Sequence, residues 1–223
     1  MKLVLFDCDG TLVDSVGLIH AVMTRAFLHF GHAAPDVEHT KAIIGLSLDL
    51  AIATMQGKPE VDHEAGAMAL YYKAVFAEVR AELGFEEPLY DGIAEVIAAM
   101  VRRDDLLIGA VTGKSRRGLD GVLETHGLKP HFVVSRTADD CPSKPNPAMV
   151  LECCRETGMD ARDAVVIGDA IYDMQMGKAA GARAIGVSWG YSTTAALLLA
   201  GADAVVDRPA DLLAHIMKGA VDA

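Results

Sequence analysis

The chain has no apolar run that reaches the roughly 18–20 residues of a membrane span. Nothing at its start resembles a secretory leader, because the apolar stretch 3–6 is short and runs straight into Asp7. Cysteine is scarce: there are four, Cys8, Cys141, Cys153 and Cys154, and none stands in a C-x-x-C pair. That excludes a zinc ribbon or a thioredoxin-type site. Cys153 and Cys154 are neighbours whose side chains would diverge on a helix, so reduced thiols and a cytoplasmic location are expected. Positive charge is in deficit, with 20 Lys+Arg against 31 Asp+Glu and a net charge of −11. Nucleic acid and anionic membrane surfaces need the opposite field and are not expected as partners. A metal ion or a few local cations can still reverse the field inside one cleft. No internal repeat or low-complexity tract is present either.

What the chain does have is apolar bulk. Hydrophobic residues make up 52% of it, mostly Ala, Val, Leu and Ile, which excludes disorder as the main state. Its 223 residues suit one domain, or one with an inserted subdomain. Residues 2–6 are continuously apolar after Lys2 and stop abruptly at Asp7, the pattern of a strand buried on both faces of a parallel sheet. Residues 106–111, 164–167 and 184–187 repeat it, and 204–206 and 132–134 do so more weakly. Segments 93–101, 117–124, 148–156 and 174–180 have helix-favouring composition, and 195–200 reads as a buried helix. The alternation predicts an α/β fold with a parallel sheet. Residues 15–87 differ: 18–30, 41–44, 48–55 and 65–83 read as helices with no strand between them. The expected organisation is an α/β core of residues 1–14 and 88–223, interrupted by a helical insert of residues 15–87.

In an open parallel sheet, ligands bind beyond the carboxyl ends of the strands. Asp7-Cys8-Asp9-Gly10-Thr11 follows the first apolar run, Thr112-Gly113-Lys114-Ser115 the 106–111 run, and Gly168-Asp169 the 164–167 run, with Asp173 four residues on. Carboxylates gathered there repel one another and call for a cation between them. Oxygen ligands, few in number and beside a phosphate, suit Mg²⁺. A carboxylate is also a competent nucleophile toward phosphorus, and a second one can move the proton. Gly10 permits a tight turn that aims backbone N–H groups at phosphate oxygens. Thr112 offers a hydroxyl at the site. Lys144, in Ser143-Lys144-Pro145-Asn146-Pro147, sits on a stiff turn that can aim it inward, with Asn146 and Pro147 suited to opening a helix. Each feature alone has a plainer reading: Asp-Gly is a common turn, Thr112 a strand-ending β-branched residue, Lys144 a solvated lysine, Asp173 an acidic residue favouring a helix start. Their convergence on one sheet edge outweighs those readings. Residues 109–115 mimic a phosphate loop but have three residues between the glycines where four are needed. A nucleotide-binding loop is therefore not expected. Cys8 is read as buried filler rather than an oxidation switch.

Asp7-Cys8-Asp9-Gly10-Thr11-Leu12-Val13-Asp14-Ser15 resembles the first motif of the haloacid dehalogenase superfamily. Thr112-Gly113-Lys114 resembles its second motif, Lys144 in Lys-Pro-Asn-Pro its third, and Gly168-Asp169-x-x-x-Asp173 its fourth. The resemblance covers the whole chain and implies a Rossmann-like core with a C1-type helical cap over residues 15–87. It further implies a Mg²⁺-dependent phosphatase working through an aspartyl phosphate. Asp7 would be nucleophile and metal ligand, and Asp9 the acid/base with its backbone carbonyl on the metal. Asp169 would complete the protein ligands of the metal, Asp173 would support them or bind the metal through water, and Thr112 and Lys144 would hold the phosphoryl group. Thr11, Gly113, Lys114, Gly45 and Ser47 would contact substrate. The presence of Asp9 separates the chain from the family's dehalogenases. The closest likeness is to phosphoglycolate phosphatase-like members, through residues 41–48 and 186–191, although no arginine stands in the 41–48 loop to meet a substrate carboxylate. Lys114 is the candidate cation from the core side. The alternatives are a β-phosphoglucomutase-like phosphomutase and a non-enzymatic protein binding a phosphorylated ligand. The mutase branch places a histidine twelve residues after the nucleophile, where this chain has Ile19. His20 is one residue late, turned about 100° on a helix, and reads as an ordinary helix residue. The expected partner is a small phosphorylated metabolite, acted on by a monomer or homodimer.

Overall fold

The structure is a computed structural model that describes residues 1–218. Six strands form one sheet: β1 (Lys2–Phe6), β2 (Leu106–Val111), β3 (Val134–Arg136), β4 (Ala164–Gly168), β5 (Arg183–Val187) and β6 (Ala204–Val206). Their order is β3-β2-β1-β4-β5-β6, and every pairing is parallel. β1 therefore lies between β2 and β4, with Phe6 opposite Ala110 on one side and Ile167 on the other. The residues that follow these three strands emerge side by side at one sheet edge. Helices cover both faces, which is why the strands read as unbroken apolar runs. One face packs with Ile93, Ile97, Leu119 and Leu212, the other with Met149, Val150, Cys153 and Met176. The α/β expectation holds, and the helices are α5 (Ile93–Val101), α6 (Arg116–Thr125), α7 (Ala148–Thr157), α8 (Ile171–Ala179), α9 (Thr194–Leu199) and α10 (Leu212–Met217).

Between β1 and α5 lie four helices: α1 (Val16–His29), α2 (Val37–Ile43), α3 (Leu48–Met55) and α4 (His63–Leu83). They enclose a core of their own that includes Leu18, Val22, Ile52, Met68 and Tyr72. The outgoing and returning chains run side by side: Val13 bridges Leu89 antiparallel, and the Asp14 N–H donates to the Pro88 carbonyl at 2.9 Å.

Several segments differ from the sequence expectation for local reasons. α2 begins at Val37 rather than 41, because the Asp36 carboxylate caps it by accepting from the Glu38 N–H at 2.7 Å. β3 begins at Val134 rather than 132, since Val133 is exposed and it is Val134 that pairs with Gly109. α8 starts at Ile171 rather than 174, where the Asp173 carboxylate accepts from the Ala170 N–H at 3.0 Å. α9 is not a buried helix: Leu197 is its buried residue, while Leu198 and Leu199 stand exposed. No helix among the described residues is long and apolar enough to cross a membrane.

Candidate active site

Asp7 leaves the end of β1 with 1% of its surface exposed. Asp169, directly after β4, and Asp173, in the first turn of α8, are equally buried. One carboxylate oxygen from each of Asp7, Asp169 and Asp173 lies within 4.8 Å of the others. Lys144 is wholly buried beneath this trio, its Nζ 2.6 Å from Asp173 Oδ1 and 2.9 Å from Asp7 Oδ1. The approach to Asp7 is an ion pair without hydrogen-bond alignment, so both Asp7 carboxylate oxygens stay without a hydrogen bond. Buried carboxylate oxygens without a donor are costly. Three buried carboxylates around one point, with the oxygens of Asp7 lacking any hydrogen-bond donor, are the donor set a hard divalent cation takes. The residues present therefore fit Mg²⁺, with Asp7, Asp169 and Asp173 as its side-chain ligands.

The electrostatics agree. Burial pushes the Asp7 carboxyl up to about 7; Lys144 pulls it down, while Asp173 and Asp9 add to the rise. Asp169 is also held well above the usual carboxylate range, by burial first and then by Asp7 and Asp173. Burial works against the Lys144 charge, but Asp173 and Asp7 more than offset it and hold the ammonium above the ordinary lysine value. A carboxyl raised on folding stabilises the fold while protonated and loses that contribution as pH rises through its folded value. Metal-free protein is thus expected to lose stability as pH climbs from about 4 to about 7. Excess Mg²⁺ is expected to flatten the slope, as thermal melts with EDTA and with Mg²⁺ would register.

Glycines shape the approach to these carboxylates. Gly10 has φ +77°, and a Cβ there would stand 2.3 Å from Asp169 Oδ2. Gly10→Ala combines left-handed backbone strain with displacement of the Asp169 carboxylate. It is expected to destabilise by about 2 kcal/mol or more and to weaken Mg²⁺ binding, measurable by urea unfolding and metal titration. Thr11 Oγ1 donates to Asp169 Oδ1 at 2.9 Å, and the Tyr191 N–H donates to Oδ2 at 2.9 Å. Thr11 therefore orients a carboxylate.

Asp9 points its carboxylate elsewhere. Its Oδ1 accepts from Ser15 Oγ and from Lys114 Nζ, the latter at 2.7 Å. Lys114 in turn lies 2.8 Å from Glu87 Oε1, all three side chains being about nine-tenths buried. Burial opposes the Lys114 charge, but Asp9 and Glu87 raise it well above the ordinary lysine range. The Asp9 side chain is not part of the acidic trio. Thr112, also buried, accepts the Lys114 N–H on its Oγ1 at 3.2 Å.

The insert meets the core directly over these groups. Gly45, φ +106°, lies over Ala170 and Tyr172, and a Cβ at Gly113 would stand 2.5 Å from the Leu46 carbonyl oxygen and 2.7 Å from that of Gly45. The Ser47 N–H donates to Ser143 Oγ at 2.8 Å, one residue from Lys144, and Tyr172 Oη donates to the Ala42 carbonyl at 3.2 Å. Gly45, Ser47 and Gly113 thus face one another across the seam between insert and core. His20 lies elsewhere, its Nδ1 2.9 Å from Thr40 Oγ1 inside the insert.

Three participants escaped the sequence reading. Ser15 and Glu87 hold Asp9 and Lys114, and the Tyr191 hydroxyl accepts the Ser15 and Val16 N–H groups, both at 3.1 Å, at the start of α1. Glu87 had no signal beyond its place in Glu86-Glu87-Pro88, which reads as a solvated acidic turn. Tyr191 and Ser15 stood in stretches singled out for other reasons.

Residues 4–187 match the family model described as haloacid dehalogenase-like hydrolase. A probable phosphatase, IndB, of Dickeya dadantii is 32% identical over 92% of this chain and 89% of its own length. A phosphoglycolate phosphatase of Chromobacterium violaceum is 28% identical over 98% of both chains. In fold, the chain resembles a hydrolase from Pseudomonas syringae with a TM-score of 0.83 and 24% identity, covering 97% of this chain and 98% of that one.

Proposed function

The chain belongs to the haloacid dehalogenase-like hydrolase family, and from that premise we propose that it is a Mg²⁺-dependent phosphatase of a small phosphorylated metabolite. Residues 15–87 would be its cap domain, over a core of residues 1–14 and 88–223. The observation that carries the reading is the Asp7–Asp169–Asp173 trio with Lys144 buried against it. Named relatives are phosphatases, which supports hydrolysis over isomerisation. The bond between His20 and Thr40 further disfavours a phosphomutase using that histidine. Four buried, unpaired cysteines support the cytoplasm as its location.

In this mechanism an Asp7 carboxylate oxygen attacks phosphorus as the bond to the leaving oxygen breaks, giving an aspartyl phosphate. Asp9 supplies the proton that makes the leaving group an alcohol. Its Oδ1 is held by Ser15 and Lys114, and Oδ2 makes no hydrogen bond among the described residues, so Oδ2 is the oxygen assigned to proton transfer. Asp9 then takes a proton from the water that attacks phosphorus, the Asp7–phosphorus bond breaks, and phosphate leaves. Mg²⁺, when bound by Asp7, Asp169, Asp173 and the Asp9 carbonyl, would offset negative charge on the phosphoryl oxygens. Lys144 would do the same, and the Thr112 hydroxyl would donate to the phosphoryl oxygens. The insert, seated on Gly113 and Ser143, keeps bulk water away.

Phosphate release from a panel of small phosphate esters, with Mg²⁺ and with EDTA, tests this reading. Release that requires Mg²⁺ is expected. Isomerised sugar phosphate without free phosphate would point instead to the mutase. Bound Mg²⁺ with neither reaction would point to a phospholigand-binding protein.

A further inference from the structure

We infer that the leaving group accepted by this site is an uncharged alcohol, and that a carboxylate or a second phosphate beside the scissile one is disfavoured. The inference rests on the phosphatase reading and concerns the charges left over once the phosphoryl group is held.

The lysines and arginines of the insert each have a partner. Arg25 pairs with Glu78 and Glu82, Lys41 with Glu38, and Lys58 with Asp62 and Glu64. Lys73 lies on an exposed flank near Asp139 at 3.9 Å, and Arg80 donates to the Phe85 carbonyl in the last turn of α4. Among the histidines, His20 shares its hydrogen bond with Thr40, His29 stacks on Tyr71 and His32 joins Glu64. The part of the insert that touches the core over the site is Gly45, Leu46 and Ser47, none of them charged. The groups it turns to Gly113 are the carbonyl oxygens of Gly45 and Leu46. Carbonyl oxygens accept hydrogen bonds and repel anions.

Neither core lysine at the site is free. Lys144 is taken by Asp7 and Asp173 and by the phosphoryl group it would hold. Lys114, the remaining candidate for a substrate carboxylate, is held between Asp9 and Glu87 at 2.7 and 2.8 Å. Five carboxyl groups thus face two ammonium groups; with Asp9 carrying the proton it donates, one divalent ion balances the other four, and the bound phosphoryl group then leaves the site net negative. A further anion would meet net negative charge in a low-dielectric seam with no partner to offset its desolvation. A hydroxyl meets acceptors it can donate to.

A matched pair of substrates decides the matter. Phosphoglycolate and 2-hydroxyethyl phosphate differ by a carboxylate against a hydroxymethyl group, and inorganic pyrophosphate adds a second phosphate. With Mg²⁺ present, kcat/KM for 2-hydroxyethyl phosphate is expected to exceed that of both anionic substrates by about tenfold or more. Calorimetry on Asp7→Asn is expected to give the same order of affinities without turnover. Phosphoglycolate or pyrophosphate matching or surpassing the neutral ester in either measurement would overturn the inference, as would failure of 2-hydroxyethyl phosphate both to react and to bind. Preserved order in binding with no turnover of any ester would defeat the phosphatase reading while upholding the charge preference.

Discussion

Asp7→Asn is expected to drop phosphate release by about 10⁴-fold or more, while leaving the folded protein at least as stable as wild type. The two halves of this result have one cause. The Asp7 carboxylate is fully buried, both its oxygens lack hydrogen bonds, and burial pushes it up to about 7. A group in that state costs the fold stability when ionised and is kept for its chemistry. The amide cannot form an acyl phosphate, yet it removes the charge that Asp173 and Asp9 oppose. In EDTA at pH 8 the variant should therefore melt at or above the wild-type temperature. Recovery of near-normal turnover would remove Asp7 as nucleophile. A strong loss of stability would show that Asp7 helps to hold the fold.

Lys144→Met is expected to act in the opposite way on stability. Lys144 is wholly buried and is the cation nearest both Asp7 and Asp173. Methionine fills much of its volume and removes the charge, leaving two carboxylates facing each other without their counterion. Breaking a buried pair by deleting one partner costs about 3–5 kcal/mol, or about 10 °C in melting temperature for a chain of this size. Mg²⁺ should restore part of the loss, because it supplies positive charge to the same carboxylates. Turnover should fall as well, since the phosphoryl oxygens lose a fixed cation. The double variant Asp7→Asn/Lys144→Met is expected to be less destabilised than Lys144→Met alone, a coupling that follows from the 2.9 Å approach of the two groups. Independent, additive losses would contradict the pairing.

Much of this was legible because the relevant strands are buried on both faces. β1, β2 and β4 read as unbroken apolar runs with abrupt polar ends, so the residues proposed to bear the chemistry stood where each run stopped. α3 and α5 were legible to the residue. The insert was visible as a long stretch with helical composition and no strand. What the sequence could not reveal depends on contacts between distant residues. Lys114 looked free to meet a substrate carboxylate, yet it is spent on Asp9 and Glu87, 105 and 27 residues away. Glu87 becomes a site residue because the chain returns from the insert beside Val13 and Asp14. β3 was placed two residues early and α9 was misread as buried, for a related reason. Each is short, at or near a sheet edge and half exposed, so burial leaves little pattern in the residues.

Whether Asp7 becomes phosphorylated is the central question. Protein mixed with a turned-over ester and Mg²⁺ can be quenched in acid, reduced with borohydride and digested. An aspartyl phosphate would be reduced to homoserine at the position of its parent residue. The expected result is homoserine at position 7, dependent on Mg²⁺ and absent in Asp7→Asn. Steady release of phosphate with Asp7 unmodified at every quench time, or with homoserine at position 9 or 169 instead, would contradict the mechanism.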